Sequence, residues 1–279
     1  MARRDTNFYY SFIVLPAAKR RAIIAVWDFC RAVDDAVDEK ASGADRALAR
    51  AAAAAELSMW RRELAACFDG GPLLTPVAER LRPQIQAFHL PRAQFEEVIS
   101  GVEMDLDDRR YERFEDLEAY CRRVASAVGL ICIEIFGYRD PGSREYALNL
   151  GLALQLTNIL RDVGKDLNLG RIYLPLEDLA RFDVSEDMLR ARQVTVPVRR
   201  LLEFEAGRAL EFFRRAGDAL PAVDSRRLVA AKIMGAIYYE ILRRVELSGF
   251  EVFGPIIRLP KWRKATIAAA KWLDTMAGT

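Results

Sequence analysis

From Leu148 to Pro175 the chain reads LNLGLALQLTNILRDVGKDLNLGRIYLP, apolar at nearly every helical phase but one. Gln155, Asn158, Asp162 and Asp166 follow one another at steps of three, four and four. At about 100° per residue those steps align the four polar groups along one narrow stripe of a helix. Leu150, Leu152, Leu154, Leu156, Ile159 and Leu160 cover the other faces. The pattern predicts a buried helix whose stripe points at something that stabilises charge, since unpaired buried ions cost several kcal/mol each. A cavity holding metal ions meets that need.

The same periodicity runs through most of the chain, and strand-like alternation is nearly absent. Pro16 fits the first turn of a helix running through about Glu39, and Ala-rich sequence gives a second over 44–68, closed by Asp69-Gly70-Gly71-Pro72. Further helices are predicted over 75–88, 92–108, 114–137, 142–168, 185–192, 195–217, 222–247 and near 260–275. No long Pro/Gly/Ser linker or internal repeat divides them. The expectation is one all-α domain over residues 1–279.

Composition narrows the classes. At 279 residues, 52% hydrophobic and 29% charged, the chain can bury a large core and is not of disordered type. Its formal charge is +2 with dispersed basic residues, which argues against a nucleic-acid groove. Cys30, Cys67, Cys121 and Cys132 lack paired metal spacing and read as reduced thiols. His89 is the single histidine, at a helix end, so no multi-histidine metal site can form. The opening MARRDTNFYYSF lacks the apolar core of a signal peptide, and no apolar run reaches the roughly 18–20 residues that span a bilayer. A cytoplasmic protein, free or peripheral at a membrane, is expected.

The first long helix carries a second stripe. Trp27, Arg31, Asp34 and Asp38 step by four, three and four, with the two aspartates one turn apart. Alone, such a pair is also the signature of a solvated acidic helix end, where like charges cost only about 0.2–0.5 kcal/mol. Paired with Asp162/Asp166 on another apolar helix, it suggests a site for several Mg²⁺ ions, which favour carboxylates, water and substrate phosphates. Diphosphate chemistry suits that arrangement, the metal neutralising a leaving group without a protein nucleophile. Arg31 and Arg161 can bind phosphate oxygens or, alternatively, pair with neighbouring acids. Departure of diphosphate leaves an allylic cation, which aromatic faces stabilise by up to about 2 kcal/mol. Phe8, Trp27, Tyr120 and Tyr238 are candidates, with core packing the alternative for each. Ala125, Ser126, Ala127 and Gly129 allow a neighbour or a ligand to approach closely, and Tyr120, one turn earlier, can relay a proton, although a hydroxyl of pKa about 10 is a poor base. The acids of GVEMDLDDRRY, namely Glu103, Asp105, Asp107 and Asp108, are spread around the helix and read as a charged end rather than a third metal site.

Taken together, NFYYSF…FCRAVDDAVDE, EMDLD…RRY…YCRRVASAVG and LQLTNILRDVGKDLNLGRIYLP resemble the squalene/phytoene synthase family, in order and spacing, from residue 7 to about 258. The resemblance implies the all-α isoprenoid synthase fold, a helical bundle around a central cavity. It implies head-to-head condensation of two prenyl diphosphates with Mg²⁺ and loss of diphosphate. By the same resemblance Asp34, Asp38, Asn158, Asp162 and Asp166 are metal ligands, and Tyr120 serves in proton transfer. Arg31, Gln155, Arg161, Tyr238 and Arg258 contact substrate, as do Trp27 and the arm Arg4, Asp5, Thr6 and Asn7. Asn7, Trp27 and Lys165 depart from the residues usual in the family, which bears on substrate placement but removes no metal ligand.

The wording VASAVGL and YCRRV is most similar to bacterial members that turn two farnesyl diphosphates into presqualene diphosphate for hopanoids. Condensation of geranylgeranyl diphosphate to phytoene, and NADPH-dependent completion to squalene, are the alternatives; the missing G-x-G-x-x-G does not exclude NADPH. A non-catalytic isoprenoid-binding or assembly protein is the rival of a different class. Downstream isoprenoid enzymes are conceivable partners. The basic C-terminal segment IIRLPKWRKATIAAAKWLDT, with Trp262 and Trp272, reads either as an interfacial helix or as a docked helix with a solvated basic face.

Overall fold

The computed structural model describes residues 7–38, 46–107 and 109–277, with backbone alone for 7–9 and 46. Among these residues there is no strand. The helices are α1 (Asn7–Phe12), α2 (Ala17–Asp38), α3 (Arg46–Asp69), α4 (Pro76–Phe88), α5 (Arg92–Glu103), α6 (Phe114–Cys121), α7 (Ala127–Phe136) and α8 (Gly142–Asn168). They continue with α9 (Leu176–Arg181), α10 (Glu186–Arg190), α11 (Val196–Ala219), α12 (Val229–Leu247) and α13 (Lys261–Ala277).

The periodicity locates most of the long helices to within a few residues. It overruns α5, which ends at Glu103 in a 3₁₀ turn, and starts α12 too early, since Ala222–Asp224 is a separate 3₁₀ turn and the helix begins at Val229. It misses α1 and α9, each of 6 residues and too short to show a face. It also runs α6 and α7 together as one straight helix. Between them Arg122–Ser126 forms a π-helical turn. Such turns insert an extra residue into a helix and are frequent at functional sites. His89 closes α4 in the left-handed conformation, a structural role.

Two apolar clusters build the interior. One gathers α2, α3, α4, α5, α7, the first half of α8 and α12; the other joins the second half of α8 to α11 and the end of α12. Leu152, Leu156 and Leu160 are at most 3% exposed and belong to the second cluster, together with Leu201, Leu202 and Ala209 of α11. Leu152, Leu156 and Leu160 of α8 are therefore spent on α11, while its polar stripe, together with Leu150 and Leu154, is left for the cavity side.

Close approach on that side needs small residues. A Cβ on Gly151 would stand 2.6 Å from Ser126 Cα and 2.8 Å from its backbone nitrogen, so α8 meets the π-turn backbone to backbone. Ser126 Oγ donates to the Leu148 carbonyl at 2.8 Å and ties the two segments. At the start of α8, buried Asp224 accepts from Arg139 N, Asp140 N and Ser143 Oγ, each at 2.9 Å. A carboxylate reaching back from beyond α11 thereby fixes where α8 begins.

Candidate active site

Five walls enclose one cavity of about 400 Å³: α2, α5, the π-turn with α7, α8 and α12. Its size lies within the range of small-molecule sites. On α2 the lining runs from Ile23 and Val26 through Trp27 and Arg31 to Asp34 and Asp38. On α8 it runs from Ala147 and Leu150 through Gln155, Asn158, Arg161 and Asp162 to Asp166. Along both helices apolar positions give way to charged ones. The charged ends converge, because Arg171, just beyond α8, donates to Asp38 Oδ1 at 2.6 Å. The cavity thus has a charged head, walled by aspartates from two helices, and an apolar body reaching Ile133, Phe136 and Tyr146.

The turn after α8 makes that convergence. Gly170, at φ 76°, reverses the chain, and Arg171 N donates to the Asp166 carbonyl at 2.9 Å. Arg171 and Tyr173 are thereby folded back into the cavity wall. Burial opposes the Arg171 charge, but Tyr173, Asp105 and Asp38 outweigh it and raise its pKa.

Asp105 corrects the sequence reading. Glu103 and Asp107 do form surface ion pairs, with Arg61 at 2.8 Å and with Arg50. Asp105, in the 3₁₀ turn Met104–Leu106, instead enters the cavity wall. Tyr120 Oη donates to its Oδ2 and Tyr173 Oη to its Oδ1, both at 2.9 Å, and the two rings stack at 5.2 Å. Burial raises the Asp105 pKa, while Arg171 and the two tyrosines hold it down. The carboxylate sits between the aspartate pairs and repels both Asp34 and Asp166.

The charges are arranged unequally. Asp162 is held by Arg161, at 2.7 Å to Oδ1 and 2.5 Å to Oδ2, and Asp38 by Arg171. The other member of each pair is protonated easily. Asp34 keeps exposed surface toward the cavity, yet burial, then Asp38 and Asp105, push it up to about 7. Burial and Asp162 push Asp166 up to about 8. Such a head has excess negative charge that a cation relieves.

Two orphaned atoms specify what the head fits. Asn158 Oδ1 is buried without a hydrogen-bond partner, and so is Arg171 Nη2. The first is a hard oxygen acceptor suited to a cation; the second is a donor suited to an anion. Among the described residues no three His, Cys, Asp or Glu are gathered tightly enough to hold a metal by themselves.

The remaining predicted positions divide. Trp27, Arg31, Tyr120, Gln155 and Tyr238 line the cavity, and Tyr238 stands against the Arg161 guanidinium. Arg31 also pairs with Asp35 at 3.6 Å, its other predicted option. Tyr120 does not suit the role of base. Burial, then Asp105, raise its pKa well above 10, so its hydroxyl remains a donor. Arg258 is exposed on the segment before α13 and is not part of the cavity wall. Arg4, Asp5, Thr6 and the side chains of Asn7 and Phe8 lie outside the described residues. The small residues of the π-turn serve both predicted purposes: Ser126 meets α8, while Ala125 and Gly129 line the cavity. Arg171, Tyr173 and Asp105 were missed, although all three stand inside the motifs that carry the resemblance.

A profile of the squalene/phytoene synthase family matches residues 1–265. The chain belongs to the squalene/phytoene synthase family. Its members are prenyltransferase-type enzymes of isoprenoid biosynthesis. A phytoene synthase of Arthrospira platensis is 36% identical over 278 residues, covering 94% of this chain and 87% of the relative. A presqualene diphosphate synthase of Rhodopseudomonas palustris is also 36% identical, over 263 residues, covering 94% of this chain and 91% of the relative. Among solved structures, a dehydrosqualene synthase in complex with ligand superposes with a TM-score of 0.87 at 30% identity, covering 98% of this chain and 93% of that one. The isoprenoid synthase fold expected from the motifs is therefore the observed one.

Proposed function

We propose that this family member joins two molecules of farnesyl diphosphate head to head, giving presqualene diphosphate and releasing diphosphate. The observation that carries the reading is the amphipathic cavity, whose head leaves Asn158 Oδ1 and Arg171 Nη2 unpartnered. A magnesium-bound diphosphate would supply both kinds of partner, a cation for Asn158 Oδ1 and an anion for Arg171 Nη2. Asp34, Asp38, Asn158, Asp162 and Asp166 would hold the magnesium ions, which when bound neutralise the departing diphosphate.

The chain's own residues carry the rest. Arg31, Arg161, Lys165 and Arg171, all in the wall, offer N–H donors to diphosphate oxygens as the carbon–oxygen bond of one substrate breaks. The allylic cation that remains is sheltered from water by the apolar body, with Trp27, Tyr120 and Tyr238 presenting aromatic groups. The C2–C3 double bond of the second molecule, next to its own diphosphate, attacks C1 of the cation and a carbon–carbon bond forms. C1 then loses one proton to an oxygen of the released diphosphate, and its electron pair closes the cyclopropane onto C3. Tyr120 contributes as a fixed hydroxyl on Asp105 and orients the head.

The farnesyl reading rests on the segments YCRRV and VASAVGL, whose wording is most similar to the presqualene-forming members of the family. Relatives named for phytoene match equally well, so condensation of geranylgeranyl diphosphate is the competing reading. Incubation with each diphosphate, with and without NADPH and with magnesium or chelator, followed by product mass analysis, separates them. Presqualene diphosphate from farnesyl diphosphate, independent of NADPH and abolished by chelator, is the expected result. Phytoene from geranylgeranyl diphosphate, with farnesyl diphosphate inert, overturns it. Asp34→Ala and Asp162→Ala should keep the melting temperature and lose turnover by about a hundredfold or more.

A further inference from the structure

The C-terminal helix is oriented opposite to what its composition suggests. α13 packs on α12 and α1, and its buried positions are Lys264, Ala268 and Thr275. Of its basic residues only Lys261 is exposed; the others point inward or along the flank. Lys264 is 6% exposed, its ammonium 6.0 Å from the centre of the Tyr10 ring; Lys271 is half-buried; half-buried Arg263 pairs with Glu240 at 3.1 Å. The outward face carries Trp262, Trp272 and Leu273, 64%, 40% and 59% exposed, around Thr266 and small alanines. At about 100° per residue Trp262 and Leu273 project within about 20° of each other. A surface helix ordinarily buries its large apolar side chains; this one packs Ile267, Ala268 and Met276 against the core yet leaves both tryptophans and Leu273 outside.

We propose that the outer face of α13 inserts into the interface of a bilayer carrying anionic headgroups. Three features favour lipid over a protein partner. Trp262 and Trp272 stand ten residues apart, about 15 Å along the helix, and indole is the side chain that settles at a membrane–water boundary. Between them stand only small exposed residues (Ala265, Thr266, Ala269 and Ala270), so the indoles can sink into a soft interface without a larger polar side chain in the way. Arg258 and Lys261 are exposed at the leading end, complementary to anionic lipid, with Asp274 the one acid of residues 258–277. The placement also has a use. α12 carries α13 on its outside, while Met234 and Tyr238 of α12 line the cavity. Docking would hold the apolar cavity one helix away from the lipid. The inference does not depend on which prenyl diphosphate is used.

The full-length chain would be mixed with phosphatidylcholine vesicles, with and without phosphatidylglycerol, and followed by co-sedimentation and tryptophan emission. Binding to the anionic vesicles, weakened by salt and accompanied by a blue shift, is expected. The variant Trp262→Ser/Trp272→Ser/Leu273→Ser should bind about tenfold more weakly or worse, with unchanged circular dichroism, melting temperature and turnover in detergent solution. Equal binding by wild type and variant overturns the proposal, as does absence of wild-type binding. Conversion of a wild-type dimer to a monomer by the variant, without vesicle binding, overturns it in favour of a contact between copies.

Discussion

Asp105 shows how much a single carboxylate depends on its surroundings. Two tyrosine hydroxyls, each 2.9 Å away, hold one oxygen apiece, and its charge is felt by Arg171 and by both aspartate pairs. The tyrosines therefore act through it. Tyr120→Phe and Tyr173→Phe should each lower turnover by about tenfold, in line with loss of one hydrogen bond to a charged group. Because both act on one carboxylate, the double variant should lose less than the product of the single effects, which a double-mutant cycle in steady-state kinetics reads directly. The wild-type rate should not climb as pH passes 10, as it would were Tyr120 a base of ordinary phenolic pKa. The aspartate pairs could be found from spacing because a regular helix repeats. Asp105 could not, since residues 103–108 leave the helix through a 3₁₀ turn that breaks the repeat.

At the scale of elements, the site depends on how closely α8 approaches the π-turn. Gly151→Ala would put a methyl group 2.6 Å from Ser126 Cα, and neither backbone can yield cheaply. Overpacking of this kind should cost about 1–3 kcal/mol and lower the melting temperature by several degrees. Gly207→Ala, in the middle of α11 with nothing within 4 Å, is the control and should gain about 0.5–1 kcal/mol from helix propensity. Paired thermal melts test both. The glycines look alike in the sequence; only the neighbouring backbone distinguishes a required one from a dispensable one.

Across the whole molecule, stability is linked to a buried charge cluster remote from the cavity. Asp178 and Glu205, each 2% exposed, share Arg208, which bonds Glu205 at 2.8 Å and also bonds Asp178. Two acids on one arginine leave a negative charge in the core. Burial, only partly offset by Arg208 and aided by Asp178, pushes Glu205 up to about 8. The folded protein thus holds a proton that the unfolded chain releases near 4.5. This contribution is complete below that value and is lost as pH rises through about 8. The melting temperature of the wild type should fall as pH rises from about 5 to about 8, inside the span set by that shift, and that of Glu205→Gln should fall less. Parallel curves for the two proteins would rule the linkage out.

Read alone, the sequence was enough to determine the helical class, the long helices, the polar stripes of α2 and α8, and the family. Those properties are local or nearly so, since a 3.6-residue period and a motif's spacing are written along the chain. Tertiary structure decided the rest: that the stripes share one cavity, that Arg171 and Asp105 complete its head, that Arg258 stays outside, and that α13 turns its tryptophans outward. Each depends on which surfaces of distant segments meet. A charged residue near a helix end can face water or a cavity at equal local cost, and only the packing of the other helices separates the two.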